Sequence, residues 1–456
     1  MQSDMIIGME VHIQLNTNTK LFCGCKIENA QPNTRTCPVC LGHPGSRPTL
    51  NKRAIEYATK MALALQSTIA SQLVFSRKTY FYPDMGKNYQ ITQYETPLAE
   101  NGTVVLSDGT KVRIKRLHVE EDPAGMVHEE GLSLVDYNRS GIPLIEVVTE
   151  PDMISPEQAR EFMKKLQSIL AYLDIFASDG IIKADVNVSV KSSGFERVEV
   201  KNVTGFKEIE RCVEYEVKRQ QTDTVVKETR AWNAELGRTR SLRLKESEED
   251  YGYITDPDLV VRPIEPAFVE SIQKTLPELP EEKTARFVKE HKLDAIDARI
   301  IAAEPDVAAL YEESSKQVSP VLAARWVRRE LLRSLNTQGK KLKDTPLRAH
   351  HVIPLFKLIE NKQITDRVGQ KLIRELAEEP FDVAERVQKE GLTAVSDTGE
   401  IGTAVDETLS ENPQALQDFK QGEAKAFEFL MGQIMRKTKG KALPDVVRKL
   451  LEEKIK

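Results

Sequence analysis

The first strand-like stretch of the chain alternates between apolar and polar positions. The apolar positions are Met9, Val11, Ile13 and Leu15, and those between them are Gly8, Glu10, His12 and Gln14. A period of two is typical of a β-strand that has one face in a core. The opposite face of this strand therefore presents a carboxylate, an imidazole and an amide in a row.

The same alternation returns later and predicts a sheet whose open face is a polar floor. Residues 185–191 place valines on one face and polar side chains on the other, and residues 199–202 follow in the same style. Residues 104–115 predict a hairpin, because Asp108-Gly109 separates two alternating runs. The hairpin leads into three consecutive acids. Acid runs are usually solvated, but a strand end holds side chains rigidly enough for a binding site.

Glu146 lies in an apolar run, residues 142–148, that predicts a buried strand. A carboxylate there needs a partner cation or metal, although an edge strand that points it at water explains the sequence equally well. The strands and strand ends together carry a set of oxygen and imidazole ligands: Glu10, His12, Glu120, Glu121, Glu146 and Asp185. Because Mg²⁺ prefers carboxylate oxygens and retains waters, such a floor suits phosphoryl transfer.

Familiar catalytic motifs are absent from the sequence. It contains no Walker A loop, no protein-kinase glycine-rich loop and no G-x-S-x-G elbow. An ATP-dependent metal site in this chain would therefore use a less familiar scaffold, and a solvated acidic surface is the alternative. A hydrolytic amidase site is not visible.

Four of the five cysteines are spaced as a metal site: Cys23, Cys25, Cys37 and Cys40. The C-x-C and C-x-x-C pairs let four thiolates surround zinc tetrahedrally, with no position left open for catalysis. A redox pair or unliganded thiols are the alternatives. Closely spaced pairs suit a metal site in a reducing compartment better than a disulfide framework.

Three other segments carry cations that fit either an anion site or an ordinary protein surface. The loop from 77 to 90 combines aromatic and basic side chains: Lys78, Tyr80, Tyr82, Lys87 and Tyr89. It suits an anion or a nucleotide base, or else a packed connector. Residues 230–250 include Arg243 and Lys245, which suit phosphates or a solvated face. A turn near the C-terminus is cationic: Arg436, Lys437, Lys439 and Lys441. It predicts a nucleic-acid contact or a plain lysine-rich loop.

Composition limits the remaining choices. The 456 residues are enough for two or three domains. A shift in composition at 276–280 predicts mostly amphipathic helix from there to about residue 391, with two further helices at the end. The net charge of -5 argues against nucleic-acid binding through the overall field and leaves local basic patches. No apolar run approaches the ~18 residues that cross a bilayer, so we expect a cytoplasmic protein.

Several of these motifs together resemble one family. They are Glu10-Val11-His12, the loop 78–90, Glu120-Glu121-Asp122, the block from Asp136 to Glu146, Asp185-Val186-Asn187 and Lys439-Gly440-Lys441-Ala442. Over essentially its whole length the chain resembles the GatB family, the B subunits of the aspartyl/glutamyl-tRNA amidotransferases. The block N-R-x-G-I-P-L-I-E is highly specific to that family.

The resemblance implies an α+β fold in three parts. A cradle-shaped domain around an antiparallel sheet is expected at 1–276, with a zinc-binding segment at 23–40. An all-helical domain is expected at 277–390, and a small YqeY-like helical tail that binds tRNA at 391–456. The archaeal E-type relative carries an inserted synthetase-like domain for which this chain has no room, which favours the B type.

The resemblance also implies a reaction. ATP phosphorylates the side-chain carboxylate of Glu-tRNA(Gln) or Asp-tRNA(Asn), and ammonia then displaces phosphate to give Gln-tRNA(Gln) or Asn-tRNA(Asn). A separate amidase subunit supplies the ammonia through an internal channel, in agreement with the missing amidase signature. The implied cofactors are ATP, Mg²⁺ and structural Zn²⁺. The implied partners are the amidase subunit, the small third subunit of the heterotrimer and the misacylated tRNA, with an aminoacyl-tRNA synthetase as a further candidate.

Site residues are carried over from the family by position. The implied magnesium ligands are His12, Glu121 and Glu146. The residues that complete the site around ATP and the activated carboxylate are Glu10, Glu120, Asp185 and Asn187. Candidates for substrate, nucleotide or channel contacts are Lys78, Tyr80, Tyr82, Lys87, Tyr89, Arg139, Ser189, Lys201, Arg243 and Lys245. The basic turn resembles the part that grips the tRNA body: Arg436, Lys437, Lys439 and Lys441.

Residues 250–258 depart from the commoner family pattern, so contacts to ATP or the acceptor in that segment are not carried over. Two rival functions are also compatible with the residues. A zinc-containing, tRNA-binding scaffold without chemistry predicts that Glu10, His12, Glu121 and Glu146 do not converge. A stand-alone ATP-dependent ligase or kinase for a small acid makes the basic turn incidental.

Overall fold

The computed structural model describes residues 4–129, 131–176, 182–244, 251–394, 398–420, 423–438 and 440–455. The chain divides into two compact units, residues 1–279 and residues 280–456. The predicted three-part division at residues 276 and 390 stays a prediction.

The first unit contains the β-strands of the described residues. In chain order they are β1 (Met5–Gln14), β2 (Thr68–Ile69), β3 (Gln72–Leu73), β4 (Ser76–Thr79), β5 (Tyr89–Thr92), β6 (Ala99–Val105), β7 (Lys111–Glu121), β8 (Gly125–Glu129), β9 (Leu132–Asp136), β10 (Pro143–Thr149), β11 (Lys183–Val190), β12 (Val198–Thr204), β13 (Glu228–Asn233), β14 (Arg238–Leu244), β15 (Ile254–Thr255) and β16 (Arg262–Pro263).

One large sheet organises this unit. Counted over the described residues it has nine strands, in the order β14-β13-β12-β11-β1-β10-β7-β6-β2. Its neighbouring strands are antiparallel except for β12 and β13, which are parallel. A smaller sheet has the order β15-β4-β5, and two strand pairs, β16-β3 and β8-β9, complete the set.

The predicted alternation of β1 is confirmed by burial. Met9, Val11 and Ile13 are at most 1% exposed and belong to a continuous apolar core. Three helices contribute to that core: α1 (Lys52–Ala64), α2 (Pro156–Leu173) and α3 (Phe206–Thr222). A fourth helix, α4 (Pro266–Gln273), ends the unit. The helices cover the apolar face of the sheet, so the polar face is left to form a site.

Local signals in the sequence explain where elements begin and turn. Ser155 Oγ accepts a hydrogen bond from the N–H of Gln158 at 3.2 Å, and Pro156 occupies the first helical position of α2. The predicted hairpin at 104–115 is the pair β6-β7. Its turn places Gly109 at a φ of +87°, a left-handed conformation that costs glycine little.

The second unit is helical throughout the described residues. Its helices are α5 (Pro280–His291), α6 (Ala295–Ala302), α7 (Pro305–Ser315), α8 (Pro320–Trp326), α9 (Leu332–Thr337), α10 (Ala349–Glu360), α11 (Asp366–Glu378), α12 (Val383–Lys389), α13 (Thr398–Glu411), α14 (Pro413–Lys420), α15 (Ala424–Lys437) and α16 (Pro444–Ile455). The predicted α+β class, an antiparallel sheet followed by helices, is confirmed. Within the described residues, no helix is long and apolar enough to cross a membrane.

A candidate active site on the polar face of the sheet

Strand pairing brings the polar side chains of four neighbouring strands together. On β1, His12 pairs with Glu146 of β10, and Glu10 pairs with Asp185 of β11. On the far side of β10, Glu146 pairs with His118 of β7. Directly opposed residues have Cβ atoms about 4.5–5.5 Å apart. The register alone therefore concentrates charge at the centre of the polar face.

The first group of charges, the imidazole cluster, consists of His12, His118, Glu120 and Glu146. His12 Nε2 lies 3.7 Å from Glu120 Oε1 and 3.7 Å from Glu146 Oε2. His118 Nε2 lies 3.1 Å from Glu146 Oε2 and 3.6 Å from Glu120 Oε2. His118, Glu120 and Glu146 are buried, and the side chain of His12 is 27% exposed. The two carboxylates therefore depend on the two imidazoles for countercharge.

The carboxylates and imidazoles of this cluster stabilise each other's charged forms. Burial lowers the pKa of His12, but Glu146, Asp185 and Glu120 outweigh it and raise that pKa above its ordinary value. Burial also opposes a charged His118, yet Glu146 and Glu120 raise its pKa to about 9. Against the effect of burial, the two imidazoles hold the pKa of Glu146 well below its usual range. The charged forms of His118 and Glu146 are thus stabilised by their mutual contact.

The second group, the lysine cluster, consists of Glu10, Asp185, Glu199 and Lys201. Lys201 Nζ lies 2.8 Å from Asp185 Oδ2 and 3.4 Å from Glu199 Oε1. One oxygen of each of the three carboxylates lies within 4.8 Å of the others, and Asn187 Nδ2 donates to Glu10 Oε1 at 3.1 Å. Burial lowers the pKa of Lys201, but Asp185 and Glu199 raise it above its ordinary value. Lys201 therefore stays protonated and balances the charge of Asp185 and Glu199.

Both clusters lie on the floor of one cleft, whose volume is about 1720 Å³. Tyrosines and a lysine form a wall. Tyr94 and Tyr253 stack with ring centroids 3.9 Å apart, and Tyr251 meets Tyr253 and Tyr80 edge to face. Lys78 Nζ lies 4.6 Å from the ring centroid of Tyr251. Pockets for small molecules span about 300–1,000 Å³, so this cleft has room for a larger ligand.

Most of the predicted catalytic residues meet in this cleft. Those that line it are Glu10, His12, Glu120, Glu146 and Asp185. Asn187 reaches the floor through its hydrogen bond to Glu10. The scaffold without chemistry predicts that Glu10, His12, Glu121 and Glu146 do not converge, and three of these four line the cleft while Glu121 does not. The roles of all these residues stay predictions.

Glu121 does not lie with His12 and Glu146. Its carboxylate accepts from Lys87 Nζ at 2.6 and 2.7 Å and from the N–H of Ile91 at 3.1 Å. Strand alternation is the reason, because consecutive side chains of β7 point to opposite faces and Glu120 takes the cleft face. The structure therefore places Glu120, and not Glu121, in the group of three that could hold a metal.

The other predicted contact residues divide into three groups. Those that line the cleft are Lys78, Tyr80, Tyr82, Arg139 and Lys201. Those outside the cleft lining include Lys87, which pairs with Glu121, Tyr89, whose ring Lys87 approaches, and the buried Ser189. Arg243 pairs along β14 with Thr229, but its side chain and all of Lys245 lie outside the described residues.

The predicted tRNA-contact turn lies at the end of α15. Lys437 Nζ lies 3.0 Å from Glu407 Oε2 and 2.7 Å from Glu411 Oε1, so this cation is already paired. Arg436 is exposed, Lys441 is half-buried, and Lys439 lies outside the described residues. The tRNA contact stays a prediction.

His118 and Glu199 were not predicted as site residues. Strand alternation carried a signal for both, because His118 lies two residues before Glu120 and Glu199 two residues before Lys201. The stacked tyrosines of the wall, Tyr94 and Tyr253, offered no comparable signal. They lie far apart in sequence, and only the folded chain brings their rings together.

The four predicted cysteines form the cysteine cluster: Cys23, Cys25, Cys37 and Cys40. Their sulphur atoms lie within 4.8 Å of one another. Cys37 Sγ and Cys40 Sγ are 3.9 Å apart, near the edge of about 3.8 Å of a tetrahedron with zinc–sulphur bonds of about 2.3 Å. The cluster is a candidate metal site compatible with structural zinc.

The electrostatics of Cys40 favour the thiolate, which is the form that binds metal. A hydrogen bond with Cys23 lowers the pKa of Cys40 against the effect of burial, and the same bond raises the pKa of Cys23. The N–H of Cys37 and the ammonium of Lys20 lower it further. The fifth cysteine, Cys212, is 0% exposed and belongs to the apolar core.

Comparison with known proteins identifies the family. The model of the GatB/GatE catalytic domain matches residues 5–270, and that of a GatB domain matches residues 309–455. A protein of Persephonella marina is 42% identical over the full length of both chains. A protein of Carboxydothermus hydrogenoformans is 40% identical over 99% of this chain and 98% of its own. Both are named as the B subunit of aspartyl/glutamyl-tRNA(Asn/Gln) amidotransferase. The chain belongs to the GatB family.

Proposed function

We propose that this chain is the amidotransferase subunit that carries out ATP-dependent amidation of Glu-tRNA(Gln), Asp-tRNA(Asn) or both. The observation that carries the proposal is the convergence of His12, Glu120 and Glu146 on the floor of a large cleft. The names of its relatives supply the substrate class. At about 1720 Å³ the cleft is larger than a small-molecule pocket, as a site for two substrates requires.

The reaction needs two steps because a carboxylate is a poor acceptor of ammonia. First, a side-chain carboxylate oxygen of the aminoacyl group attacks the γ-phosphorus of ATP, and the bond to ADP breaks. Ammonia then attacks the carbonyl carbon of the acyl phosphate, the carbon–oxygen bond to phosphate breaks, and the nitrogen loses a proton. The product is the amide. Charge repulsion between the attacking carboxylate and ATP is the main obstacle to the first step.

The imidazole cluster fits a magnesium ion. Carboxylate oxygens are the donors that Mg²⁺ prefers. His12, Glu120 and Glu146 each offer one ligand atom, all within 4.8 Å of one another. Bound there, Mg²⁺ would neutralise phosphate charge. In this proposal His118 orients Glu120 and Glu146 by its contacts of 3.6 and 3.1 Å.

The choice between Glu120 and Glu121 as a ligand can be tested directly. We expect Glu120→Gln to raise the magnesium concentration needed for half-maximal ATP turnover. Glu121→Gln instead frees Lys87 and should lower stability, because a buried ammonium then loses its carboxylate. If Glu121→Gln alone shifts the magnesium requirement, Glu121 is the ligand, as the family resemblance implies.

The lysine cluster and the wall provide the remaining contacts in the proposed site. Lys201 is the cation positioned to attract an anionic substrate group, since it stays charged between Asp185 and Glu199. Lys78 and the tyrosines around it suit the base and phosphates of a nucleotide. Arg139 lines the same cleft. Each of these assignments follows from charge and position alone.

Partners and cofactors follow from the same proposal. The chain would receive ammonia from an amidase subunit and assemble with a small third subunit into a heterotrimer; an aminoacyl-tRNA synthetase is a further candidate. The cysteine cluster would hold structural zinc, and ATP and Mg²⁺ would bind in the cleft. Because its substrate is charged tRNA, the protein would work where translation takes place, in the cytoplasm. Arg436 and Lys441 near the end of α15 are candidates for phosphate contacts.

The deciding experiment measures ADP formation by the complex with its amidase partner, with ammonium chloride as nitrogen donor. The arms are Glu-tRNA(Gln), Asp-tRNA(Asn), the same tRNAs uncharged, and free glutamate. We expect ADP and amidated tRNA only with a charged arm. Turnover with free glutamate would identify a ligase or kinase for small acids. Binding of tRNA without ADP in any arm would identify a scaffold.

A further inference from the structure

A fully buried lysine lies beside the cysteine cluster. Lys20 is 0% exposed, and its Nζ lies 3.5 Å from Cys40 Sγ and 3.1 Å from the carbonyl oxygen of Tyr137. Among the described residues, no carboxylate oxygen lies within ion-pair distance of this ammonium. Burial of an unpaired ammonium is costly, so a lysine in this position needs another source of negative charge.

The cysteine cluster is the nearest such source. Four thiolates around a divalent zinc ion carry a net charge of about −2, and Cys40 contributes the sulphur that Lys20 contacts. We propose that Lys20 is the countercharge of this metal site and that, through the carbonyl of Tyr137, it ties metal occupancy to the loop at the edge of the cleft.

That loop, residues 135–142, is here called the buttress loop, and the cysteine-bearing segment is fastened to it. Asn33 N–H donates to Asp136 Oδ1 at 2.9 Å, and Asn33 Nδ2 donates to the carbonyl of Val135 at 3.0 Å. Asn33 Oδ1 accepts from the N–H of Tyr137 at 2.7 Å. Asn138 adds two hydrogen bonds of 2.7 Å to backbone groups of the segment. Movement of the segment would therefore move the loop.

On its other side the buttress loop holds residues of the cleft. Tyr137 Oη donates to the carbonyl of Pro83 at 2.7 Å, and Gly141 N–H donates to the carbonyl of Asp122 at 2.9 Å. Arg139 Nε lies 3.4 Å from Asp122 Oδ2, and both residues line the cleft. Lys20 thus links the candidate metal site, through Tyr137, to the loop that contacts cleft residues Asp122 and Arg139.

The backbone is shaped to let Lys20 reach this position. Gly141 adopts a φ of +90°, which disfavours any side chain. A Cβ there would lie 3.5 Å from Lys20 Cδ and 3.8 Å from Cys40 Cβ. The loop therefore passes directly over the lysine stem, and the N–H of Leu21 donates to the Gly141 carbonyl at 2.8 Å.

The first test measures zinc affinity of the full-length chain by competition with a chromophoric chelator. Lys20→Met removes the charge and keeps much of the stem, and we expect the Kd for zinc to rise ten- to a hundred-fold, as for other residues behind metal ligands. Lys26→Met is the matched control, because Lys26 is an exposed lysine of the same segment. Its Kd should change less than about twofold. An unchanged Kd in a folded Lys20→Met protein overturns the proposal.

The second test measures hydrogen–deuterium exchange of the wild-type chain with and without zinc. We expect removal of zinc to increase exchange in the buttress loop, while a reference peptide from β13 and β14 stays protected. In Lys20→Met the loop should exchange faster even with zinc bound. If Lys20→Met does not fold, the wild-type arm decides: a loop whose protection is independent of zinc overturns the coupling. Neither readout depends on amidation, so the outcome is separate from that of the proposed function.

Discussion

The two halves of the cleft floor are built from similar parts but are neutralised in different ways. In the imidazole cluster, Glu120 and Glu146 are compensated by two histidines. In the lysine cluster, Asp185 and Glu199 are compensated by one ammonium. An imidazole can release its proton and then bind a metal ion, whereas an ammonium repels one. The first half can therefore exchange protons for a divalent cation, and the second cannot.

This difference assigns separate tasks to the two halves within the proposed function. The imidazole cluster, which can exchange protons for a divalent cation, suits the step in which phosphate charge must be neutralised. The lysine cluster suits the placement of a substrate group, because the electric field of its ammonium does not depend on whether a metal ion is bound. Variants that perturb one half at a time test this distinction.

The largest expected effect is that of Glu146→Gln. The amide keeps the shape of the side chain but removes the charge that both imidazoles contact. We expect ADP formation with charged tRNA to fall roughly 10²–10³-fold, the range for loss of one preorganised electrostatic group. tRNA binding, measured by filter retention, should stay within about twofold, since no proposed phosphate contact is altered.

Glu100→Gln is the control for Glu146→Gln, because Glu100 is an exposed glutamate of β6, away from the cleft lining. Its turnover should match that of the wild type. If Glu146→Gln retains turnover, the imidazole cluster is not the site of chemistry and the distinction between the two halves fails.

The second effect is on stability and comes from the lysine cluster. Lys201→Met leaves Asp185 and Glu199 without their ammonium, and breaking such a pair costs about 3 kcal/mol in unfolding free energy when burial is incomplete. Urea unfolding in a Trp326→Phe background gives the measurement, because Trp232 of the first unit is then the remaining tryptophan.

The same variant should also change what the lysine cluster binds. Without the ammonium, the three carboxylates that lie within 4.8 Å of one another lose the positive charge that opposes binding of a divalent cation. We expect Mg²⁺ to restore part of the lost unfolding free energy of Lys201→Met. In the wild type, Mg²⁺ should raise the unfolding free energy by less, because Lys201 already occupies the lysine cluster. Equal magnesium responses in both proteins would show that Lys201 does not exclude the cation.

The third effect is a pH dependence that only the imidazole cluster should show. The folded pKa of His118 is raised from 6.5 to about 9. The stabilisation that charged His118 gives the folded protein is therefore fully present below about pH 6.5 and is lost as pH rises toward 9. Without Mg²⁺ this change in unfolding free energy is on the order of 2–3 kcal/mol. His118→Gln should remove the part of this loss that His118 contributes and leave the smaller part that comes from the raised pKa of His12. Asp185, whose pKa is lowered by Lys201 against the effect of burial, loses its contribution only as pH falls below its ordinary pKa.

Urea unfolding at pH 6, 7.5 and 9, with EDTA or with Mg²⁺, checks this prediction. Mg²⁺ should reduce the loss at pH 9, because the cation replaces the proton as countercharge. A slope that is as steep in His118→Gln as in the wild type would assign the pH dependence to another group.

Strand faces could be predicted from the sequence, but strand neighbours could not. The alternation of β1 placed Glu10 and His12 on one face correctly, and Asp108-Gly109 located the turn between β6 and β7. Nothing local, however, indicates that β1 lies between β10 and β11. Pairing of such distant segments is fixed by the packing of the whole core, and a local period does not encode it.

The same limit explains the assignment of Glu120 and Glu121. Family position implied Glu121 as a magnesium ligand, while the period of β7 puts His118 and Glu120 on the cleft face. The contact between Glu121 and Lys87 depends on a loop folded back from another part of the chain. Gly42 permits that approach, because a Cβ there would lie 2.7 Å from Lys87 Cγ. A sequence motif names such residues without indicating which of them meet.

The smallest expected effect compares two threonines, one in each half. Thr92 Oγ1 donates to Glu120 Oε2 at 3.2 Å, and Thr229 Oγ1 donates to Glu199 Oε2 at 3.0 Å; both residues are buried. Replacing either by valine removes one hydrogen bond to a carboxylate at nearly constant volume, so each variant should lose about 1 kcal/mol of unfolding free energy. Turnover should separate them. Thr92→Val disturbs Glu120 of the imidazole cluster and should lower ADP formation more than Thr229→Val does. Equal turnover at equal stability loss would mean that the two halves share the chemistry.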